Sequence, residues 1–166
     1  EVRRLTFSNK EVESIAQTLE AALGVVYNPR SARIVERELK AFRPDVVHVH
    51  NFFPLVSPAV FYVCHKYKVP VVMTLHNYRL ICPSRYLHYD GKVQLENVQQ
   101  VFPLSAIRKK VYRNSALQTA SSVLATGVHK VLGTWRNKVS KFIVLTPGAA
   151  DLFLNSSLRP RPEQLM

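Results

Sequence analysis

The chain has 166 residues, 47% of them hydrophobic and 20% charged, with 23 Lys and Arg against 11 Asp and Glu and a formal net charge of +12. That size and balance suit one globular domain with its own core and exclude a disordered tail. Two cysteines, Cys64 and Cys82, are too few for a disulfide framework, nothing resembles a signal peptide, and no stretch has the roughly 18 uninterrupted apolar residues of a membrane span. The nearest, Ser115 to Trp135, is broken by Gln118, Ser121, Ser122, His129 and Lys130. The expected protein is cytoplasmic, either free or peripheral on the inner face of a membrane.

In chain order, Val2 to Phe7 reads as a strand, and Ser8 or Asn9 caps a helix whose Val12, Ile15, Ala16, Leu19 and Leu23 recur at helical spacing until Gly24. Asn28-Pro29 opens a second helix with the apolar stripe Ala32, Val35, Leu39 and Phe42, leading into a strand that ends at His50. Ser57-Pro58 sets a cap before a first-turn proline, so residues 58–68 form a crossover helix with Phe61 and Cys64 inward. A further strand ends at His76. From Asn77 to about Leu104 the pattern becomes an excursion, within which Tyr86 to Val93 reads as a β-hairpin turning at Asp90-Gly91, residues that tolerate positive φ. A helix from Ser115 to Leu132, a strand from Phe142 to Leu145 and a helix capped by Thr146-Pro147 and running to about Asn155 follow. The chain closes on a polar tail containing Pro160 and Pro162.

Two segments repeat each other: Pro44-Asp45-Val46-Val47-His48-Val49-His50-Asn51 and Pro70-Val71-Val72-Met73-Thr74-Leu75-His76-Asn77, with prolines, histidines and asparagines matching at a spacing of 26. Each is a short β-branched run of the kind a buried parallel strand requires, and each stops at a His-Asn pair. The pattern is a βαβ unit in an α/β fold: a Rossmann-like parallel sheet with flanking helices and a hairpin excursion. Ligands of open α/β sheets bind beyond the carboxyl ends of the strands, so the two His-Asn pairs mark a candidate site.

The charge is uneven. No acidic residue occurs between Glu96 and Asp151, while Arg108, Lys109, Lys110, Arg113, Lys130, Arg136, Lys138 and Lys141 all fall in that gap. Such a block attracts phosphates, whether of a nucleic acid, an anionic membrane or a diphosphate-bearing substrate, although a solvated face with counterions has the same composition.

Taken together, FRPDVVHVHNFFPLVSP, VPVVMTLHNYRLICP, the Asp90-Gly91 hairpin and HKVLGTWRNKVSKFIVLT resemble the amino-terminal domain of a glycosyltransferase of family 4, across nearly the whole chain. The resemblance implies a GT-B architecture, in which this domain supplies most of the acceptor site and a second domain binds a nucleotide-sugar, with no cofactor and no metal in the chemistry. It places residues 1–166 as a single acceptor-side domain, incomplete because the family's first strand and glycine-rich loop would precede Glu1 and the donor domain would follow Met166. Many relatives carry extra cysteines after the Asp-Gly turn, where this chain has Gln94, Leu95 and Glu96, which argues against a cysteine metal site.

Departure of a nucleoside diphosphate needs cationic or amide stabilisation of the leaving dianion, and the acceptor hydroxyl must be held near the anomeric carbon. The resemblance puts His76 at the family's donor-facing histidine and makes it the catalytic candidate, with a satisfied core histidine as the bland alternative. His50, Asn51, Asn77, Tyr78 and Arg79 are the substrate-binding candidates, although Tyr78 suits packing and Arg79 a loop anchor equally well. His48 and His50 share a strand face. With His76 they would make a three-histidine metal site, but no carboxylate or cysteine stands beside them in sequence, so no metal is assigned. Hydrolysis would require two flanking carboxyl groups, which the strand ends lack, since Asp45 sits at the wrong end of its strand. A nucleophilic Cys82 would need an activating neighbour, and a lone cysteine is more often an inert packed thiol.

The expectation is therefore a retaining hexosyltransferase of surface polysaccharide or glycolipid assembly, inactive as this segment alone. Its partners would be a nucleotide-sugar, a lipid-linked or saccharide acceptor, an anionic membrane attracted by Arg108, Lys109, Lys110 and Arg113, and a second copy of the chain in a homo-oligomer. The alternative is a non-catalytic basic module whose long helix lies on a membrane or a partner protein, presenting Leu117, Val123, Leu124 and Val128. That helix packing on the sheet is the competing arrangement. Nucleic acid is disfavoured by the lack of a reader motif.

Overall fold

The computed structural model describes residues 1–7, 24–53 and 56–166. In chain order these form α1 (Pro29–Phe42), β1 (Val47–Val49), α2 (Ala59–Lys66), β2 (Val71–Leu75), β3 (His88–Tyr89), β4 (Lys92–Val93), α3 (Leu104–Arg108), α4 (Ala116–Val131), α5 (Thr134–Lys138), β5 (Lys141–Val144) and α6 (Pro147–Leu154), with a 3-10 turn at Pro162–Gln164. The fold is α/β and Rossmann-like. Its main sheet is parallel, ordered β1-β2-β5, and β3-β4 is a separate antiparallel hairpin.

Several helix ends follow from side-chain chemistry that the sequence announces. The Asn28 side chain accepts from the amides of Arg30 and Ser31, satisfying orphan donors of the first turn of α1, and buries Ala32, Val35 and Leu39 on one face. Arg43, left-handed at φ 49, closes that helix by donating its amide to Leu39 O. Ser57 is fully buried and its hydroxyl accepts from the amides of both Asn28 and Ala59, so one residue ties the starts of α1 and α2 together. Ser115 and Thr146 cap α4 and α6 in the same way. The hairpin turns as its residues dictate, with Asp90 at φ 51 and Gly91 at φ 68.

Four expectations are corrected. Val2 to Phe7 forms no strand: a strand exists only through a ladder partner, and here Val2 is 95% exposed while Arg3 reaches across to Glu38 of α1 at 3.1 Å. The crossover helix stops at Lys66, because Lys68 turns left-handed at φ 55 ahead of Pro70. The tail is not merely polar, since Leu165 bridges Phe142 beside β5, Met166 exchanges backbone hydrogen bonds with Phe142 and Val144, and the buried Gln164 amide donates to Trp135 O and Val139 O. Of the outward stripe that the membrane-binding alternative requires on α4, Val123 is 2% exposed and Val128 half-buried, while Leu117 and Leu124, together with Val131, face outward. The expected helix before Gly24 lies outside the described residues.

The core is built around Phe52, Phe61 and Trp135, whose ring centroids are separated by 5.4 to 5.7 Å. Val71, Met73 and Leu75 of β2 and Phe142 of β5 complete it beneath α2 and α5. Both cysteines are buried and free, and burial pushes the Cys64 thiol up to about 12, which makes it inert packing. Among the described residues no helix is long and apolar enough to cross a membrane.

Candidate active site

β1 is the edge of the described sheet, and its alternation decides the site. Val49 joins the core, while His48 and His50 project from the other face and are exposed. The ladder pairs Val47, His48 and Val49 with Val71, Val72 and Met73, an offset of 24 and not the 26 of the sequence repeat. Each histidine of β1 therefore leans along the strand toward the residue that matches it in the repeat. The His48 ring Nε2 lies 2.8 Å from Thr74 Oγ1, and His50 Nδ1 lies 2.8 Å from His76 Nε2. The His48 and His50 rings are 4.1 Å apart, and those of His50 and His76 5.1 Å.

A hydrogen bond between two imidazole nitrogens holds one proton. When His50 donates from Nδ1, neutral His76 carries its own proton on Nδ1 and presents it as a donor; in the opposite tautomer the free His76 nitrogen is an acceptor. Desolvation, then His48, then His76, holds the His50 pKa below its ordinary value. Such a pair can hydrogen-bond a sugar hydroxyl in either sense. Among the described residues no group of three or more His, Cys, Asp or Glu is arranged to hold a metal ion.

These residues line an open groove of about 1460 Å³ that runs along β1 beside Val35, Leu39 and Phe42 of α1, continues past the carboxyl ends of β1 and β2, and includes residues 1–7, His50, Asn51, Asn77, Arg79, Arg85 and Tyr86. Asn51 is exposed and left-handed at φ 42. The Asn77 side chain accepts from the Arg79 amide at 3.0 Å, an Asx turn that breaks the chain away from β2. Tyr78 stacks on Phe153 at 5.7 Å and so packs α6 under the loop. Arg79 is 8% exposed, with its guanidinium 4.2 Å from the Phe53 ring and 4.6 Å from the Tyr112 ring.

Sequence reasoning passed over Arg85 and Tyr112. Arg85 is 4.9 Å from the Tyr86 ring and 5.5 Å from Tyr112. Its signal is faint, because only the fold brings the excursion back beside the strand ends. The basic block also divides. Arg108, Lys109, Lys110 and Arg113 are exposed, but Lys130 is half-buried, donates to Ser157 Oγ at 2.8 Å and Gln100 O at 3.3 Å, and is held down to about 8 by desolvation. His129, by contrast, is the satisfied core histidine of the chain: Nδ1 accepts from the Thr134 hydroxyl at 2.9 Å and Nε2 donates to Val26 O at 2.9 Å.

The chain was compared with family models, curated proteins and solved structures. The model for "Glycosyltransferase Family 4" matches residues 9–156, a span that contains both His-Asn strand ends, the hairpin and α3 to α6. Neither the curated proteins nor the solved structures gave a significant match. A parallel sheet with a groove at its strand ends agrees with the amino-terminal domain of a GT-B enzyme. The chain belongs to glycosyltransferase family 4, whose chemistry is glycosyl transfer.

Proposed function

We propose that this chain is the acceptor-side domain of a retaining hexosyltransferase that moves a sugar from a nucleotide-sugar to a lipid-linked or saccharide acceptor in surface polysaccharide or glycolipid assembly. The observation that carries the reading is the hydrogen-bonded His50–His76 pair, exposed in a groove at the carboxyl ends of two parallel strands. His76 contacts the transferred sugar, and His50 fixes its tautomer and ring orientation. His50, Asn51 and Arg79 lie on the acceptor side. Asn77 and Tyr78 act one step back, shaping the loop that carries Arg79.

A second, donor-binding domain supplies the cations for the diphosphate and closes the groove, excluding water from the oxocarbenium-like transition state. No cofactor or metal takes part in this reading. Peripheral membrane contact on the cytoplasmic side is part of the same proposal, supported by exposed Leu117, Leu124 and Val131 on α4 and by the exposed cations from Arg108 to Arg113. A purely membrane-binding module would use that surface without the histidine groove.

The test is a transfer assay with radiolabelled nucleotide-sugars and a lipid or oligosaccharide acceptor, on residues 1–166 alone and on a protein extended through a donor domain. Transfer by the extended protein only, lost in His76→Ala, is the expected result. Transfer by residues 1–166 alone would contradict the two-domain reading.

A further inference from the structure

Three guanidinium groups gather around the Tyr112 ring: Arg79 at 4.6 Å, Arg85 at 5.5 Å and Arg113 at 5.5 Å. None of the ion pairs among the described residues involves any of them. Arg79 is more than nine-tenths buried, and its guanidinium meets neutral side chains, with Nη1 3.5 Å from Ser122 Oγ and a further interaction with the Tyr112 side chain. The Arg85 Nε is buried without a hydrogen-bond partner. A guanidinium carries five donors. The Phe53 and Tyr112 rings hold the Arg79 guanidinium at 4.2 and 4.6 Å, and neither they nor the Ser122 hydroxyl carries a negative charge to offset it.

Like charges packed round one apolar ring repel one another, and desolvation already disfavours the charged form of Arg79. The arrangement invites an anion that accepts from several planar forks at once. Arg85 and Arg113 are both held left-handed, at φ 73 and φ 52, so the backbone adopts a rarely populated conformation at both positions. Arg79 and Arg85 open onto the groove that holds His50 and His76.

We infer that Arg79, Arg85 and Arg113 form a binding site for a phosphoryl group, and that the acceptor served by this groove carries a phosphate or diphosphate. A phosphoryl group matches the cluster better than a single carboxylate because it offers more acceptor oxygens and more charge to the three forks. This inference rests on the acceptor-side reading of the groove for its second half, but the anion site itself is measurable without any transfer.

The experiment is a calorimetric titration of the chain with inorganic pyrophosphate, repeated on Arg85→Gln, Arg113→Gln and His76→Ala. Arg136→Gln removes an exposed cation outside the cluster and controls for net charge. The expected result is saturable binding, weakened about tenfold or more by Arg85→Gln, about threefold or more by Arg113→Gln, and less than about twofold by Arg136→Gln or His76→Ala. Glucose 1-phosphate and vesicles of phosphatidylcholine with phosphatidic acid separate the sources of the phosphoryl group. Binding of the soluble ester that depends on Arg85 supports a soluble phosphorylated acceptor, and binding of the vesicles alone that depends on Arg85 supports a lipid-borne phosphate. Equal losses in the three arginine variants, or no saturable binding of any phosphate, would overturn the site. Retained pyrophosphate binding in a protein that carries its donor-binding domain and still shows no transfer would remove the acceptor-side reading and leave the anion site standing.

Discussion

His129 and His76 carry the same side chain into opposite circumstances. His129 lies on α4 at 2% exposure, inside a closed circuit in which the Tyr62 hydroxyl meets Thr134 Oγ1 at 2.7 Å, Thr134 meets His129 Nδ1, and His129 Nε2 meets Val26 O. Every polar atom of that imidazole is spent on the fold. His76 is exposed at the end of β2, and its named partner is another exposed histidine. A stable fold gains little from holding two imidazoles together at the surface, whereas a site that must present a polar group of defined orientation gains a fixed ring. The contrast separates histidines that hold the structure from histidines that the structure holds out.

The largest stability effect belongs to the buried member. His129→Ala leaves a cavity beside Trp135 and strips the Thr134 hydroxyl and Val26 carbonyl of a partner. We expect a loss of about 3 kcal/mol in urea unfolding, with pyrophosphate affinity of the folded protein unchanged. A loss below about 1 kcal/mol would mean the circuit is dispensable.

The same residue sets an acid limit. Desolvation holds the His129 pKa below its ordinary 6.5, against a weaker opposing push from the Val26 carbonyl. Between the folded and unfolded pKa values the unfolded chain binds more protons, so the stability associated with neutral His129 is fully present above 6.5 and is lost as pH falls toward the depressed value. His50 is shifted the same way. Melting temperature should therefore fall on acidification from pH 7 to 5, and less steeply in His129→Gln. An identical slope in the variant would assign the acid limit to other groups.

At the exposed pair, the stability effects should be small. His50→Ala and His76→Ala should each cost less than about 1 kcal/mol, because each removes one solvent-accessible hydrogen bond and no core volume. A loss comparable to that of His129→Ala would erase the distinction between the buried and the exposed histidines. Smallest of all is Lys109→Ala, which breaks an exposed pair with Glu96 at 2.6 Å and should change stability by less than about 0.5 kcal/mol.

The strand ends, the caps at Asn28, Ser115 and Thr146 and the Asp90-Gly91 turn were legible in the sequence because each is a local matter of side-chain and backbone geometry. The matching His-Asn pairs marked the groove for the same reason. What local pattern does not carry is pairing across the chain. Val2 to Phe7 has strand composition but no ladder partner among the described residues, and the tail has loop composition yet lies beside β5. The offset of 24 against a repeat of 26 could not be read from the repeat, although it decides that His48 meets Thr74 and His50 meets His76. Of the arginine cluster, Arg79 was visible next to a strand end. Arg85 and Arg113 stand apart from it in sequence, and only the excursion folding back onto Tyr112 brings all three together.

The most direct test of the account is the rate of sugar transfer from a nucleotide-sugar by the protein carrying its donor-binding domain, wild type against His76→Ala, with unfolding followed on the same samples. The account predicts a fall in rate of about 100-fold or more, roughly 2.7 kcal/mol of transition-state stabilisation, at nearly unchanged stability. An unchanged rate in a fully folded His76→Ala protein would contradict the claim that these exposed histidines are where the chemistry takes place.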